Sequence, residues 1–311
     1  MFPVRPETAE RYQENMLDVL LHIEANLTRE LPLEELAEVA GFSPYHFHRI
    51  FSELQGEKVK EYIRRLRLER AVYRLKVSGD NVLDIALESG FKTHESFTRA
   101  FSERFDLAPS EFRSWLEGFR TLAGGKDFSL ALAGLSNDNP LEAVNKQAQV
   151  VVEQQKQPGM NMAFVRYTES YESVFSEGFP HPWEPLFDWA EIKGLDKESL
   201  NLIGICHDDP LLTPPEKIRF DACIEVDKLE ERQNKVNFKR LEAGICAVRS
   251  HSGGPEEIAN TYGTIGLEWL PHEGYCLSAA PPFEIYTYEW VEGNPQRQDT
   301  KAFIPLEEVP H

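Results

Sequence analysis

Between residues 10 and 120 the apolar side chains recur every three or four positions, the period of amphipathic helices, and beyond residue 150 the period shortens to two. The first stretch therefore reads as almost entirely helical. LPLEELAEVAG (31–41) is a short helix closed by Gly41 at a C′ position, and in GFSPYHFHRIF the next helix restarts with Ser43 as N-cap and Pro44 in its first turn. NVLDIALESG (81–90) repeats the arrangement: it ends on Gly90, and Thr93 caps the helix of GFKTHESFTRAF, with one extra residue in the second turn. Each copy is helix, glycine-containing turn, helix, the signature of a helix-turn-helix unit. A plain all-α bundle with two capped hairpins is the competing reading, but two copies joined by one long basic helix favour the former.

The two restarted helices share a pattern, FHRIFSE at Phe47–Glu53 and FTRAFSE at Phe97–Glu103. At 100° per residue the two phenylalanines of each copy lie on one face, and the arginine between them points away. The spacing makes Tyr45, His48 and Arg49 the outward residues of the first helix, flanked by Ser43 and His46. On the second they are Glu95, Ser96 and Arg99, with Lys92, His94 and Thr98 near. Arginine grips guanine O6 and N7 with two hydrogen bonds, worth about 1–3 kcal/mol of discrimination. Tyr45 suits a sugar or a thymine methyl. Glu95 suits cytosine N4 or, equally, an i, i+4 partner for Arg99.

Residues 121–149 mix Gly, Asn, Pro and Ala without a sustained period and read as a linker. Strands follow at 160–168, 202–207 and 220–226, with an amphipathic helix at 181–194 between the first two. The order returns as a strand at 244–251, a helical pattern at 255–270, and strands at 283–290 and 301–307. Extra strands open each half at 150–155 and 236–242. The expected fold is thus an all-α N-terminal domain (10–120) and an α+β C-terminal domain (150–309) with an internal duplication, its helices on one side of an antiparallel sheet.

Charge sharpens this division. The chain carries a net charge of −19 over 311 residues, unevenly spread: −4 in residues 1–121 and −15 in residues 122–311. Inside the first part, KVKEYIRRLRLERAVYRLK (58–76) is locally +6, which reads either as a phosphate-facing patch or as a solvated helix face. No apolar run approaches the roughly 20 residues that span a bilayer, and the N-terminus lacks an apolar signal core, so a cytoplasmic protein is expected. The four cysteines, without C-x-x-C spacing, read as reduced packed thiols. If the basic helix is rigid, it sets two recognition helices about 34 Å apart, so one monomer reads two adjacent major grooves.

The pattern G-F-S-x-x-x-F-x-R-x-F, its second copy and the closing FDLAPSEFR (105–113) resemble the DNA-binding domain of AraC-family transcription regulators. The resemblance covers about the first 120 residues. It implies contacts to double-stranded DNA at Tyr45, His48, Arg49, His94, Glu95 and Arg99, with RNA polymerase as a further partner. Asp106 stands where the family often has Gly.

The C-terminal half contains no metal motif, phosphate loop, dinucleotide fingerprint or nucleophile elbow, so no cofactor, metal or catalytic residue is assigned. Aromatic residues are in excess around possible cavities, at Trp183, Phe187, Trp189, Tyr262, Trp269, Phe283, Tyr286 and Trp290. In a strand Glu284 shares a face with Tyr286, while Phe283 and Ile285 face the other way. Glu284 either lies on an exposed face or beside an Arg, or it lines a pocket, where a carboxylate among rings favours a bulky organic cation. The runs GICHDDP (204–210), TPPEKIRFDACIEV (213–226) and EWLPHEGY…PPFEIY (268–286) resemble the GyrI-like small-molecule-binding domain. That resemblance implies an effector cleft between the two halves, its glutamate at Glu284 and its aromatics at Tyr286, Trp183 and Trp269. The family's G-P-Y after each repeat's first strand is replaced here by ESY (169–171) and GGP (253–255). The combined expectation is a DNA-binding regulator that senses a lipophilic compound, cationic if Glu284 lines its pocket. Two alternatives remain: a hydrolase of strained compounds using Glu284 as acid or base, and a domain that only docks another protein.

Overall fold

The computed structural model describes residues 6–122, 152–209, 212–251, 258–263, 265, 275–278, 280–291 and 294–308. The linker assigned to 121–149 and the helical pattern at 255–270 lie largely outside them. The chain divides into two compact units, Met1–Glu117 and Gly118–His311.

The first unit is helical: α1 (Pro6–Ala25), α2 (Leu33–Val39), α3 (Pro44–Gln55), α4 (Val59–Val77), α5 (Val82–Glu88), α6 (His94–Phe105) and α7 (Pro109–Leu122). Local chemistry sets the boundaries. Ser43 caps α3 by accepting from the His46 N–H, and Thr93 caps α6 through the Ser96 N–H at 3.1 Å. At the end of α2, Gly41 N–H bonds Glu38 O and Phe42 N–H bonds Ala37 O, both at 2.9 Å. Gly90 and Phe91 do the same to Leu87 and Ala86 after α5, and both glycines have positive φ. These are two Schellman closures, one at each turn. The phenylalanines face inward as the pattern requires: Phe47, Phe51, Phe97 and Phe101 are fully buried. Each burial removes enough apolar surface to stabilise by about 1.5–3 kcal/mol.

The basic helix α4 is neither a phosphate patch nor a solvated face for most of its length. Arg65 is half-buried between Glu57 at 2.9 Å and Glu69 at 3.3 Å. Arg67 donates to the carbonyls of Leu27 at 2.9 Å and Arg29 at 2.6 Å, in the loop after α1. Arg74 binds Asp80 at 2.8 Å and also Glu88 of α5. Arg67 and Arg74 thus tie the spacer to the loop after α1 and to α5, while Lys60 and Arg64 stay exposed. Gly90 adds a direct contact, because a Cβ there would lie 2.7 Å from Arg67 Nε and closer still to the Leu27 carbonyl. The second turn therefore abuts the loop that precedes the first unit.

In the second unit, nine strands among the described residues form one curled antiparallel sheet. They are β1 (Glu153–Gln157), β2 (Met160–Thr168), β3 (Leu202–Cys206), β4 (Arg219–Val226), β5 (Asn237–Leu241), β6 (Gly244–His251), β7 (Tyr275–Leu277), β8 (Phe283–Val291) and β9 (Asn294–Glu308). The order is β1-β6-β9-β8-β3-β4-β2-β5, with β7 beside β9. This order is palindromic for a duplicated chain. The opening strand of each half crosses to the edge of the other half, and β3 pairs with β8 at the centre. Helices α8 (Tyr171–Val174), α9 (Glu184–Ile192) and α10 (Ile258–Gly263) complete the unit. β7, α8 and the polar first half of β9 were not expected from the sequence.

Candidate nucleic-acid interface and small-molecule pocket

On α3, Tyr45 is 77% exposed and Arg49 points into solvent, while Phe47 between them is fully buried. Arg99 is the matching exposed arginine of α6, behind buried Phe97. Neither guanidinium has a hydrogen-bond or ion-pair partner among the described residues. His94 is exposed at the start of α6, and Ser43 at the start of α3. His48 is half-buried. His46 is exposed but rests its ring edge-on against Tyr12 and Phe42, at centroid distances of 5.9 and 5.1 Å.

One expectation needs correction, and one expected residue has an internal partner. Glu95 does not orient Arg99: its carboxylate accepts from its own backbone N–H and from the Thr93 side chain, which lowers its pKa, so it serves the helix N-terminus. Lys92 is 73% exposed but reaches Glu30 at 2.5 Å, an ion pair inside the helical unit between the loop after α1 and the second turn. A residue unforeseen from the sequence joins this surface. Arg64 of α4 stands beside Arg99 across a cleft of about 370 Å³ lined by Phe91, Ser96, Ala100 and Glu103, and donates to Glu103 at 3.2 Å.

The second unit places Glu284 at the centre of the sheet, opposite Gly204 in the β3–β8 pairing. Residues paired across strands share a face. Glu284, Tyr286, Leu202, Gly204, Cys206, Phe220, Ala222 and Ala163 therefore lie on one side, and there they meet Trp183, Leu186 and Ala190 from the α9 region. Glu284 is only 6% exposed. Its Oε1 accepts from the Tyr262 hydroxyl at 2.8 Å and its Oε2 from the Tyr286 hydroxyl at 2.6 Å, and the Cys206 thiol lies 3.7 Å from Oε1. Tyrosine hydroxyls, not an arginine, thus satisfy this buried carboxylate. Burial, then the Glu284 charge, pushes Tyr262, Tyr286 and Cys206 well above their ordinary ranges, so all three stay protonated as donors.

Trp183 and Tyr286 do come together, at 5.0 Å between centroids. Phe175, Phe179 and Phe220 complete the aromatic wall, 6.1, 5.6 and 6.0 Å from Trp183. The Trp183 indole donates to the Cys223 carbonyl at 3.0 Å. Gly204 makes this packing possible: a Cβ there would lie 2.8 Å from both Phe220 and the Tyr286 hydroxyl. Tyr171, from the altered ESY element, bonds the Asp208 carbonyl at 2.8 Å behind Cys206. Trp269 and the Trp290 side chain lie outside the described residues. Two other expected aromatics point elsewhere. Phe283 stacks on Phe303 at 4.8 Å on the opposite face, and Trp189 packs on Phe238 and donates to Gln233.

That opposite face carries a separate buried charge cluster. Asp221, fully buried, accepts from Arg166, from Lys239 and from His207, the last at 2.8 Å. Burial alone would raise the Asp221 pKa, but these cations outweigh it and hold the carboxyl well below its usual range. Burial and the Arg166 charge lower His207 in turn, against the pull of Asp221.

Comparison with known proteins gives two matches at the family level. The profile of the GyrI-like small molecule binding domain matches residues 151–307, and that of a helix-turn-helix domain matches residues 36–114. The chain is 40% identical over 96 residues to the Transposon Tn10 TetD protein of Escherichia coli, covering 31% of this chain and 70% of that protein. It is 35% identical over 96 residues to the transcriptional regulator Rob of Salmonella typhimurium, covering 31% of this chain but only 33% of Rob. Among solved structures it resembles a cryo-EM structure of an EcmrR–DNA complex in EcmrR-RPo, at 13% identity and a TM-score of 0.42, covering 89% of this chain and 99% of that one.

Proposed function

Because the chain belongs to the AraC-type helix-turn-helix transcription regulators that carry a GyrI-like small-molecule-binding domain, we propose that one monomer reads two adjacent major grooves of promoter DNA under the control of a small lipophilic cation. The observation that carries the DNA reading is the pair Arg49 and Arg99. They occupy equivalent repeat positions, exposed and without partners among the described residues, on helices whose other face is locked into the core. A guanidinium held out by a rigid rod meets guanine without first breaking a bond. Tyr45, His48, Ser43 and His94 would supply flanking contacts. Arg64 would hold a phosphate once it leaves Glu103, and Lys92 likewise once it leaves Glu30.

In the acidic unit, Glu284 would attract the cation and the rings of Trp183, Tyr286 and Phe179 would receive it. The compound shifts transcription only if it binds two states of the protein unequally. The response would pass through promoter affinity or through contact with RNA polymerase, in the cytoplasm. The unit would bind its compound without turning it over, since Glu284 is held by two tyrosine hydroxyls that themselves remain protonated.

The test is a pair of variants measured by fluorescence anisotropy on promoter fragments and by compound titration. Arg49→Ala with Arg99→Ala abolishes sequence-specific DNA binding and leaves compound binding intact. Glu284→Gln leaves DNA affinity without compound unchanged and removes the compound's effect. Wild-type DNA affinity in the double arginine variant would refute the first half, and an unaltered compound response in Glu284→Gln the second.

A further inference from the structure

Thr300 breaks the chemistry of its surroundings. It sits in β9 at 2% exposure, and its hydroxyl oxygen has no hydrogen-bond partner among the described residues. Farther along the same face of β9 stand Ala302, Ile304 and Leu306, all buried and apolar. A valine would fill the same volume, favour the strand and leave no polar atom stranded. The β8–β9 register pairs Thr300 with Tyr286 and Ala302 with Glu284, and the β6–β9 register pairs Thr300 with His251. Thr300 therefore shares the pocket face, directly beside Tyr286 and diagonal to Glu284. The nearby polar atoms are engaged: the Tyr286 hydroxyl with Glu284, and His251 Nδ1 with the Thr261 hydroxyl at 2.9 Å. The Thr300 hydroxyl is thus a buried group on the face that carries the carboxylate, with its hydrogen bond unmade.

We propose that Thr300 is a hydrogen-bonding point of the effector site, and that the effector is an organic cation that also carries a hydroxyl or carbonyl oxygen. The inference rests on the reading of the Glu284 pocket as the effector site and adds to it the polar half of the ligand. Diagonal neighbours on a sheet are about 7–8 Å apart between Cα atoms, so the oxygen stands about one ring away from the cationic centre. A site built around a buried hydroxyl favours a ligand that completes the bond over an analogue that cannot.

The probes are tetraphenylphosphonium and (4-hydroxyphenyl)triphenylphosphonium, equal in charge and nearly equal in size, differing by one phenolic oxygen. Calorimetric titration of the full chain is expected to show the hydroxylated cation binding about tenfold tighter. Thr300→Val removes that preference, keeps the affinity for tetraphenylphosphonium, and raises the ligand-free Tm by about 2–4 °C because the stranded hydroxyl is gone. Thr300→Ser keeps the preference. Equal affinity of the wild type for the two cations, or an equal loss of both in Thr300→Val, overturns the proposal while leaving a Glu284-dependent pocket standing. A wild type that binds neither cation overturns the effector-pocket reading and this inference with it.

Discussion

Gly41 and Gly90 close equivalent turns and have the same local role, but replacing each with alanine is expected to have very different consequences. Both have positive φ, +65° and +91°, so any L side chain there costs about 1–2 kcal/mol of backbone strain. At Gly41 nothing lies within 4 Å of an added Cβ, and that strain is the whole cost. At Gly90 the Cβ meets Arg67 Nε at 2.7 Å and runs into the Leu27 carbonyl, a backbone atom that cannot swing aside. Overpacking of this kind adds about 1–3 kcal/mol. Displacing Arg67 also weakens its bonds to Leu27 and Arg29, at 2.9 and 2.6 Å, and bonds from charged donors carry about 1.5–3 kcal/mol each. Gly41→Ala therefore costs about 1–2 kcal/mol and Gly90→Ala about 3–6 kcal/mol. For a helical unit of this size the first lowers Tm by about 5–10 °C and the second by about 15 °C or more. Thermal melts of the full chain followed by far-ultraviolet circular dichroism at 222 nm, where the helical unit dominates, measure both. If Gly90→Ala melts no lower than Gly41→Ala, the two helix-turn-helix units are not braced against each other as described.

Two other perturbations test the charge placements. Arg65→Met leaves the half-buried Glu57 and Glu69 without this guanidinium and is expected to destabilise the helical unit by about 1–3 kcal/mol, read by urea denaturation. A cost below about 1 kcal/mol, the range of surface pairs, would mean that Arg65 is merely solvated. In the sheet unit, His207 and Asp221 both have folded pKa values below their unfolded ones. The stability each contributes is therefore complete above the unfolded value and declines as pH falls toward the folded one. Tm is expected to begin falling below pH 6.5, the ordinary histidine value, and to fall again below 3.8 as Asp221 titrates. His207→Asn, which still donates to Asp221, removes the first decline and keeps the second; an unchanged profile would show that His207 does not report on the cluster.

What could be read from the sequence was what neighbouring residues decide. Ser43, Thr93, Gly41 and Gly90 announced their turns because capping acts within a few positions of the chain. The paired phenylalanines announced the core because their period fixes a face. Glu284 stood out as one carboxylate between rings. The partners of these groups were not legible. Arg67 bonds Leu27 forty residues away, so a basic run that read as either a phosphate patch or a solvated face is in part internal bracing. Cys206 read as an ordinary packed thiol, yet the β3–β8 pairing brings it to Glu284. Tyr262 was visible only as one aromatic among many until α10 carried its hydroxyl to the same carboxylate. The exchange of β1 and β5 between halves depends on pairings that no local pattern encodes. The first half of β9, from Asn294, is polar and lacks alternation; it is a strand because it pairs with β8 past a bulge at Thr287/Tyr288.

If a rigid frame sets Arg49 and Arg99 into successive grooves of one duplex, the spacing of the two contacted segments is fixed. DNA sites selected in vitro with the purified protein, then lengthened by 5 or 10 base pairs between their two contacted segments, test it most directly by anisotropy. Both insertions are expected to abolish high-affinity binding, because the braced helices cannot follow a shift of half a turn or a full turn. Undiminished affinity for either lengthened site would contradict it.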